Sequence, residues 1–424
     1  MKKIAVAGDP VAHSRSPEIF YQMFRKTGSD SVYTRISADS IEDIFSITEK
    51  YSISGINVTS PFKEGIIEYL KDTDLISKQT GSVNTVIAHN GHYYGFNTDV
   101  FGVEHSLVDN GIEIKDKKCV VIGGGGAARS AVYSLKDLGG NVFISNRTDR
   151  KALKISEEMK CGLINFSSLK ENLKDTFLAV IAVPELTLDI GNSLENSFVL
   201  DANYRNMYTE YKCKRYINGL YWLFGQAVKS YGIFFDRKIE MSSLSILPEA
   251  KKKKKNIAFI GMTGAGKSFF GIKTAEHYGM EFIDTDHEVT KRSGMEITDI
   301  FRSQGEEYFR KLEEDIISES SEKENAVIAV GAGALKSGLN RKIISERCYC
   351  VLLDADVDDI RSGLNDEDVS KRPMLTNTDI ESELNRMFYE RRDDYFSVSD
   401  LIIGTRKKKT EDDLKKIIRE LDVR

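Results

Sequence analysis

Short apolar runs alternate with longer segments of helical pattern along the whole chain. Eight such runs precede residue 248 and four follow it, at 3–8, 31–36, 55–59, 83–88, 118–123, 141–145, 178–183, 198–202, 256–261, 280–286, 326–331 and 348–354. Runs that are apolar at consecutive positions are typical of strands buried on both faces, and such strands form parallel sheets with helical crossovers. The pattern therefore predicts an α/β protein.

Two boundaries divide this pattern. Five consecutive lysines at 251–255 separate two segments that each restart the alternation of strand and helix. Mutual repulsion favours a solvated linker here, at 249–255, over a nucleic-acid patch. A strand, a glycine-rich turn and a helix also open afresh after residue 102. A chain of 424 residues has room for the resulting three domains at about 150 residues each.

The glycine-rich turn at 123–126 predicts a dinucleotide site. It follows the strand 118–122 and opens a helix at Ala127, which is the context that such a turn needs in order to bind a pyrophosphate. A tight turn without a ligand is the alternative. The next strand ends in Asn146-Arg147-Thr148 and not in an acidic residue. Because arginine accommodates a 2′-phosphate, this favours NADP over NAD. The predicted contact residues are Gly123, Gly124, Gly125, Gly126, Ala127, Asn146, Arg147 and Thr148.

A complete phosphate loop follows the linker as GMTGAGKS, at 261–268, between a strand and a helix. Its backbone amides and Lys267 are expected to bind a triphosphate, and the Ser268 hydroxyl to ligate Mg²⁺. The loop residues expected to contact ATP are Gly261, Gly264, Ala265, Gly266, Lys267 and Ser268. Asp284 and Asp286 end the next strand, so one carboxylate can reach the Mg²⁺ shell while the other faces an acceptor hydroxyl.

Polar side chains collect where strands of the first half should end, at 8–17, 57–63, 83–86 and 95–99. Ligands of open α/β sheets bind at the carboxyl ends of strands, so these side chains, with Lys63 and Asp99, are expected to converge on a polyhydroxylated ligand. Local turn capping is the alternative for each one separately. His89 and His92 flank an Asn-Gly pair that predicts a hairpin, which is favoured over a metal site.

Several strings between residues 1 and 248 together resemble the shikimate dehydrogenase family: HSRSP, NVTSPFK, VNT, GFNTD, GGGGAAR, NRT, DANY and FGQA. The resemblance implies reduction of 3-dehydroshikimate to shikimate with NADPH. It implies a substrate domain at 1–102, to which 226–248 return, and a Rossmann NADP domain at 103–225. It makes Lys63 and Asp99 the catalytic pair and Ser14 and Ser16 the carboxylate ligands. The remaining ligand contacts that it implies are Asn57, Thr59, Asn84, Thr98, Tyr204 and Gln226 for the substrate and Gly219 for the nicotinamide.

The lysine suits this chemistry. A hydride that reaches a carbonyl carbon leaves negative charge on the oxygen, which an ammonium can stabilise and protonate. One segment departs from the family pattern, since Ile181-Ala182-Val183-Pro184 stands where the family commonly has Asn-Ala-Thr or Asn-Ala-Ser beneath the cofactor. Two polar cofactor contacts are therefore expected to be missing.

Residues 256–424 resemble the shikimate kinase family through FIDTD, GEEYFRKLE, VGAGA, KRPML and ERRDDY. The resemblance implies a P-loop domain with a parallel sheet that phosphorylates the 3-hydroxyl of shikimate. Asp286 would bind and help deprotonate that hydroxyl, and Asp284 would hold Mg²⁺ through water. The other roles that it implies are a carboxylate clamp by Arg310 and Arg391, orientation of Arg310 by Glu313, substrate contacts by Gly331, Ala332 and Gly333, phosphoryl contact by Arg372 and adenine stacking by Arg361. Ala332 replaces the middle glycine of the family.

Composition and charge indicate which partners and which cellular compartment to expect. Sixty Lys plus Arg against 65 Asp plus Glu give a net charge of −5, so neither nucleic acid nor an anionic membrane is an expected partner. Five cysteines without a CxxC pair suggest a reducing compartment, and the amino-terminal apolar run is too short for a signal peptide. The sequence thus predicts a cytoplasmic enzyme, with small molecules as its partners.

The sequence therefore predicts two consecutive shikimate-pathway enzymes on one chain, with NADP(H), ATP and Mg²⁺ as cofactors. One alternative is an NAD-dependent quinate/shikimate dehydrogenase fused to a kinase for another small polyol. A nucleotide-binding pseudoenzyme that serves as a scaffold is the other.

Overall fold

The structure is a computed structural model that describes residues 1–186, 188–204, 211–246, 254–364, 379–405 and 410–424. The chain forms two compact units. The first comprises Met1–Asp9, Arg15–Tyr33 and Ile53–Glu249, and the second comprises Pro10–Ser14, Thr34–Ser52 and Ala250–Arg424. No helix in these described ranges is long and apolar enough to cross a membrane.

Seventeen strands occur in the described ranges. In chain order they are β1 Lys2–Gly8, β2 Ser31–Ser37, β3 Gly55–Val58, β4 Asp72–Thr73, β5 Thr85–His89, β6 His92–Phe96, β7 Lys118–Ile122, β8 Asn141–Ser145, β9 Gly162–Leu163, β10 Leu178–Ile181, β11 Phe198–Asp201, β12 Arg215–Asn218, β13 Asn256–Ile260, β14 Glu281–Asp284, β15 Ala326–Ala329, β16 Cys348–Ala355 and β17 Leu401–Thr405. All twelve predicted apolar runs contain a strand and β6 is the second strand of the predicted hairpin, whereas the prediction missed β4, β9, β12 and β17.

The α-helices of the described part lie between these strands along the chain, except the last, which follows β17. They are α1 Ser16–Thr27, α2 Ile41–Lys50, α3 Leu75–Thr80, α4 Asp99–Val108, α5 Gly126–Asp137, α6 Asp149–Met159, α7 Leu169–Asn172, α8 Leu220–Phe235, α9 Lys267–Tyr278, α10 Thr285–Ser293, α11 Ile297–Ser303, α12 Gly305–Glu322, α13 Gly338–Arg347, α14 Val357–Gly363, α15 Ile380–Val398 and α16 Glu411–Asp422. The predicted α/β class is confirmed.

The first unit contains a mixed sheet in which β1, β3, β5, β6 and β4 are neighbours in that order. β1 and β3 are parallel, but β5 runs antiparallel to β3, and the chain reverses again from β5 to β6. The reversal occurs at the predicted hairpin, where His89 faces His92 and both Asn90 and Gly91 have positive φ angles, of 50° and 71°. Asparagine and glycine are the residues that such a tight turn favours.

The second sheet of the first unit has six parallel strands, in the order β12, β11, β10, β7, β8 and β9. Alternate residues of β7 face two different hydrophobic cores, one on each side of the sheet. Cys119 and Val121 pack with helices α4, α5 and α6, whereas Val120 and Ile122 pack with Leu169 and Leu173 on the opposite face. This two-residue alternation explains why β7 is apolar at consecutive positions.

Helix α8 returns the chain to the mixed sheet. Gly102 of α4 lies so close to Trp222 of α8 that an added Cβ would meet the indole at 2.5 Å. At the other end of α8, the Phe234 ring covers Gly55 of β3 at a distance that leaves no room for a Cβ. The helix thereby brings polar side chains from late in the chain to the ends of β3 and β5.

The second unit contains a parallel sheet in which β14, β15, β13, β16 and β17 are neighbours in that order. Residues 36 and 37 of β2 extend it by pairing in parallel with Ile402 and Ile403 of β17. Of the five consecutive lysines, 254 and 255 lie in the described part. Lys254 differs from the expected solvated run, because its side chain is only 18% exposed and pairs with Asp400 at 2.7 Å.

Two candidate active sites

The first unit pairs the two predicted catalytic side chains. Lys63 Nζ lies 2.6 Å from Asp99 Oδ2, and the side chains are 15% and 3% exposed. This ion pair is therefore largely removed from water, unlike an ordinary surface pair. Asp99 begins α4, and its second oxygen accepts a hydrogen bond from Trp222 Nε1 at 3.1 Å. The sequence did not reveal this role of Trp222, because it depends on α8 returning to α4.

A network of neutral amides and hydroxyls surrounds the ends of β3 and β5. The side-chain amide of Asn84 donates to Thr98 Oγ1 at 3.0 Å and to Gln226 Oε1 at 2.8 Å. Asn57 Nδ2 donates to Ser230 Oγ at 3.0 Å, and Ser230 Oγ lies 3.0 Å from Thr98 Oγ1. Four predicted residues are thus brought together, and Ser230 of α8 joins them.

Tyr33 is a further member of this network that the sequence did not reveal. Its hydroxyl donates to Asn57 Oδ1 at 2.7 Å, and its ring stacks on Phe20 with 4.3 Å between centroids. A buried tyrosine usually finds a partner for its hydroxyl. Here that hydroxyl fixes which atom of the Asn57 side chain faces β2.

The other predicted substrate residues occupy different places. Ser16 is the first residue of α1 and Thr59 follows β3, with its amide bonded to the Ala7 carbonyl at 2.9 Å. Tyr204 is partly buried after β11. Ser14 is buried and belongs to the second unit, where its carbonyl accepts two hydrogen bonds from Arg35.

The glycine-rich turn lies against the lysine pair. A Cβ at Gly126, the first residue of α5, would approach Lys63 Cβ to 3.0 Å, so the bare backbone permits this contact. At Gly125 the space is open, since the nearest atom to an added Cβ is a Glu64 oxygen at 3.9 Å. The turn therefore offers the amino terminus of a helix beside Lys63, which suits an anionic group.

The residues predicted to select NADP follow β8. Asn146 is partly buried and donates to the Thr148 carbonyl at 3.1 Å, whereas Arg147 and Thr148 are exposed. Nothing acidic stands at positions 146–148. An exposed guanidinium at this position is compatible with a 2′-phosphate.

Gly219 caps the start of α8 against the end of β11. A Cβ at Gly219 would lie 2.6 Å from the carbonyl oxygens of Asp201 and Ala202, so no larger residue fits. Burial raises the pKa of the neighbouring Asp201 carboxyl to about 6, although hydrogen bonds from the Asn203 amide and the Tyr216 hydroxyl oppose the shift. Gly123 is restricted in the same way by the 181–184 segment. A Cβ at Gly123 would lie 2.7 Å from the Ala182 carbonyl oxygen, so a larger residue would collide there.

The phosphate loop of the second unit joins β13 to α9. Gly261, Gly264 and Gly266 have positive φ angles of 134°, 81° and 101°, a range that favours glycine. Lys267 Nζ donates to the carbonyls of Gly261 and Met262 at 3.0 and 2.9 Å, which holds its ammonium over the loop.

Two predicted metal ligands already touch. Ser268 Oγ donates to Asp284 Oδ2 at 2.5 Å, and Asp284 Oδ1 accepts from the amides of Asp286 and His287 at the start of α10. Among the described residues, no group of three or more His, Cys, Asp or Glu side chains is placed to hold a metal ion. A site of one hydroxyl and one carboxylate suits Mg²⁺, which keeps several waters and takes phosphate oxygens.

The predicted contact between Arg310 and Glu313 is present on α12. Arg310 Nη1 lies 2.7 Å from Glu313 Oε2, and the other side of the guanidinium contacts Glu306 Oε1 at 3.2 Å. Glu313 is 2% exposed, and this burial raises the pKa of its carboxyl to about 7. The charge of Arg310 opposes the shift, while that of Asp286 adds to it.

Gly331, Ala332 and Gly333 follow β15 and face these charges. A Cβ at Gly331 would lie 2.7 Å from carboxylate oxygens of Asp286 and Glu313, and one at Gly333 would lie 2.7 Å from Arg310 Nη2. The middle residue is different, because Ala332 presents its carbonyl to the Tyr395 hydroxyl at 2.6 Å. The chain therefore keeps glycine at the two positions where a side chain would collide with the charged groups.

The Arg391 guanidinium lies beside the same carbonyl. It is 4% exposed, Nη1 donates to the Ala332 carbonyl at 3.3 Å, and no residue of the described part of the chain accepts a hydrogen bond from its buried Nε. Because a buried donor without a partner is costly, this nitrogen suits an anionic ligand. Arg361 on α14 pairs with Glu381 and is exposed, and Arg372 lies outside the described residues.

The two halves of the chain match two different protein families. Residues 6–86 match the family model of the shikimate dehydrogenase substrate binding domain, and residues 263–422 match that of shikimate kinase. A shikimate dehydrogenase (NADP(+)) from Aquifex aeolicus is 39% identical over 162 residues, which are 38% of this chain and 60% of that protein. The chain thus covers less than two thirds of the length of that relative.

Other matches extend further. A shikimate dehydrogenase (NADP(+)) from Caldicellulosiruptor bescii is 30% identical over 266 residues, or 56% of this chain and 90% of that protein. A crystal structure of shikimate 5-dehydrogenase from Thermus thermophilus in complex with NADP(H) and shikimate is 27% identical, with a TM-score of 0.52 over 57% of this chain and 96% of that one. Successive parts of this chain are therefore similar to two protein families, shikimate dehydrogenase and shikimate kinase. With its own glycine-rich turn beside the buried lysine and aspartate, the chain belongs to the shikimate dehydrogenase family.

Proposed function

We propose that the chain reduces 3-dehydroshikimate to shikimate with NADPH and then phosphorylates shikimate at its 3-hydroxyl with ATP. The observation that carries the first activity is the buried ion pair of Lys63 and Asp99 beside the glycine-rich turn. The domains proposed for these activities are 1–102 with 226–248, 103–225 and 256–424, joined by a linker at 249–255.

In the reduction, Lys63 stabilises the negative charge that develops on the carbonyl oxygen and protonates it. Asp99 holds the ammonium in place, and Trp222 holds Asp99. Asn57, Asn84, Thr98 and Gln226 bind the ring hydroxyls, because amides and hydroxyls can both donate and accept. Ser14 and Ser16 bind the carboxylate and Thr59 and Tyr204 complete the contacts, as the resemblance implies.

The residues present fit NADP. When bound, NADPH supplies the hydride. The open backbone at Gly125 and the start of α5 receive the pyrophosphate, while Asn146, Arg147 and Thr148 receive the adenosine end. The apolar segment 181–184 offers backbone groups alone.

In the phosphorylation, Asp286 accepts the proton of the 3-hydroxyl, and Arg310 and Arg391 bind the carboxylate. The buried Arg391 Nε, which finds no acceptor among the described residues, supports this clamp. Glu313 orients Arg310, and Arg372 contacts the transferred phosphoryl group. When bound, ATP with Mg²⁺ supplies that group and neutralises its charge. Lys267 and the amides of the loop hold the phosphates, Ser268 and Asp284 hold the metal, and Arg361 stacks on adenine.

Two assays on the purified full-length chain test the proposal. Oxidation of NADPH should require 3-dehydroshikimate, and NADH should be the poorer donor. Formation of ADP should require shikimate. Quinate-dependent NAD reduction in place of the first reaction would favour the quinate alternative, and binding of nucleotide without either reaction would identify a pseudoenzyme. We also propose a cytoplasmic location, because all five cysteines are free thiols.

A further inference from the structure

Tyr395 is a buried side chain of the second unit to which the proposed function gives no part. It ends the string ERRDDY, at 390–395, and lies one helical turn after Arg391 on α15. The side chain is 1% exposed, and its hydroxyl donates to the Ala332 carbonyl at 2.6 Å. Burial raises the pKa of Tyr395 to about 12, so the hydroxyl keeps its proton and remains a donor at neutral pH.

The Ala332 carbonyl accepts hydrogen bonds from two donors of the same helix. Besides the Tyr395 hydroxyl, Arg391 Nη1 donates to it at 3.3 Å. A carbonyl oxygen has two lone pairs, so both acceptor positions of Ala332 are used. The contact from Tyr395 is the shorter one and lies within the usual range for a hydroxyl donor, whereas the contact from Arg391 is long. The Tyr395 hydroxyl is therefore the main constraint on the direction of this carbonyl.

This carbonyl belongs to the peptide bond that joins Ala332 to Gly333. The bond is trans, and in a trans peptide the carbonyl oxygen and the amide hydrogen point in opposite directions. Because the carbonyl is turned towards α15, the Gly333 amide is turned away from that helix. Gly333 also lies against Arg310, since a Cβ at Gly333 would be 2.7 Å from Arg310 Nη2. One peptide plane thus contacts α15 at its carbonyl end and carries a neighbour of Arg310 at its amide end.

We propose that Tyr395 is a positioning residue of the kinase site, because its hydroxyl orients the Ala332–Gly333 peptide bond so that the Gly333 amide meets the substrate carboxylate. Arg310 and Arg391 bind the same carboxylate. The inference rests on the proposed phosphorylation of shikimate. Its consequence is that the Tyr395 hydroxyl contributes to the affinity for shikimate and not to the transfer of the phosphoryl group.

The phosphate loop is the competing target of this side chain. The Tyr395 hydroxyl lies 3.9 Å from Met262 Sδ, and the Met262 carbonyl in turn accepts from Lys267 Nζ at 2.9 Å. A thioether is a weak acceptor, and the one hydrogen of the hydroxyl is already donated to the Ala332 carbonyl. The contact with Met262 is therefore a packing contact, which a phenyl ring would largely keep.

The test compares steady-state kinetics of the full-length chain with those of Tyr395→Phe. Phenylalanine keeps the buried ring and removes the hydroxyl alone. We expect the KM for shikimate to rise about fivefold, which is the effect of one net hydrogen bond. The KM for ATP, the kinase kcat and the dehydrogenase constants should stay within error. Thermal unfolding of both chains should be followed alongside, because a split between the KM for shikimate and kcat is not expected of a general loss of stability.

Tyr349→Phe is the matched control. Tyr349 lies on β16 of the same unit, and its buried hydroxyl has no hydrogen-bond partner within the described ranges. The same chemical change therefore removes no hydrogen bond that the structure describes. Tyr349→Phe should leave the KM for shikimate unchanged.

An unchanged KM for shikimate in Tyr395→Phe, while the parent chain phosphorylates shikimate normally, would overturn the inference and leave the proposed function intact. A change of similar size in the KM for ATP or in kcat would place the effect at Met262 and would also overturn it. So would a Tyr395→Phe chain that does not fold, because the hydroxyl would then serve the fold alone. A parent chain that forms no ADP with shikimate would instead refute the proposed phosphorylation, and the inference with it.

Discussion

The two candidate sites differ in how many charged side chains they contain. Apart from the ion pair of Lys63 and Asp99, the described network of the first unit is neutral, built of amides and hydroxyls that bond one another through Asn84 and Ser230. The second unit concentrates full charges around Gly331 and Gly333, with both signs present.

This difference follows from the chemistry proposed for each. A site that recognises hydroxyl groups and moves one proton needs few charges, because neutral amides and hydroxyls can both donate to and accept from a ligand hydroxyl. A site that holds phosphates, a metal ion and a carboxylate must neutralise several charges at once. Charge removal should therefore affect the kinase at many residues, but the dehydrogenase at very few.

The largest effect is expected for Lys267→Ala. Loss of the ammonium over the phosphate loop should lower kinase turnover by about 10³-fold or more, because this charge would otherwise offset that of the phosphates. Reduction of 3-dehydroshikimate should continue unchanged. Lys273→Ala, on the same helix and in contact with Phe269, is the control and should retain phosphorylation.

Lys63→Ala should lower the dehydrogenase kcat by about 10²-fold, which is the usual contribution of a general acid. Lys78→Ala is the control, since it breaks another ion pair of lysine and aspartate that is exposed on both sides. NADPH oxidation and ADP formation should be followed in parallel. Survival of dehydrogenase turnover in Lys63→Ala would show that this lysine only binds substrate.

Arg310→Lys tests the charged clamp of the second site. Lysine keeps the charge but not the planar fork, so the KM for shikimate should rise about tenfold or more while that for ATP changes little. The methyl ester of shikimate should be a poor substrate for the unmodified chain. Equal phosphorylation of ester and acid would contradict the clamp.

Glu313 makes the kinase site sensitive to pH. Its carboxyl has a pKa of about 7, so ionised Glu313, which orients Arg310, becomes more abundant as pH rises from 6 to 8. The KM for shikimate should therefore fall over this range, by up to about tenfold, because the charged fraction rises from about one tenth to about nine tenths. Glu313→Gln should remove the dependence.

The same shift has a consequence for stability. The folded state keeps a proton that the unfolded state has lost between pH 4.5 and about 7. The contribution of Glu313 to the free energy of unfolding should therefore decrease as pH rises through this window. Chemical denaturation of the unmodified chain and of Glu313→Gln at pH 5 and pH 8 would measure it, and an equal change in both would contradict the assigned pKa shift.

The smallest effect is expected for Trp222→Phe. Phenylalanine keeps a ring against Gly102 but removes the donor to Asp99, so the dehydrogenase kcat should fall about threefold. Kinase constants serve as the internal control. A kcat equal to that of the parent would show that Lys63 alone orients Asp99.

The sequence predicted the strands and the contiguous motifs well, because a phosphate loop and a buried strand are both encoded locally. The hydrogen-bonding roles of Trp222, Ser230 and Tyr33 could not be predicted, since they depend on how α8 and β2 lie against distant strands. The inclusion of 10–14 and 34–52 in the second unit was equally hidden. Residues 36 and 37 pair with the edge strand β17, and no local pattern reveals a pairing between strands so far apart in the sequence.

The most direct test of two consecutive activities on one chain is a single incubation of the purified protein with 3-dehydroshikimate, NADPH, ATP and Mg²⁺, followed by mass spectrometry. We expect shikimate 3-phosphate, with one NADPH and one ATP consumed for each molecule formed. Lys267→Ala should stop at shikimate, and Lys63→Ala should yield product only when shikimate is added. Accumulation of shikimate without its phosphate in the parent chain, or product of unchanged yield in either variant, would contradict it.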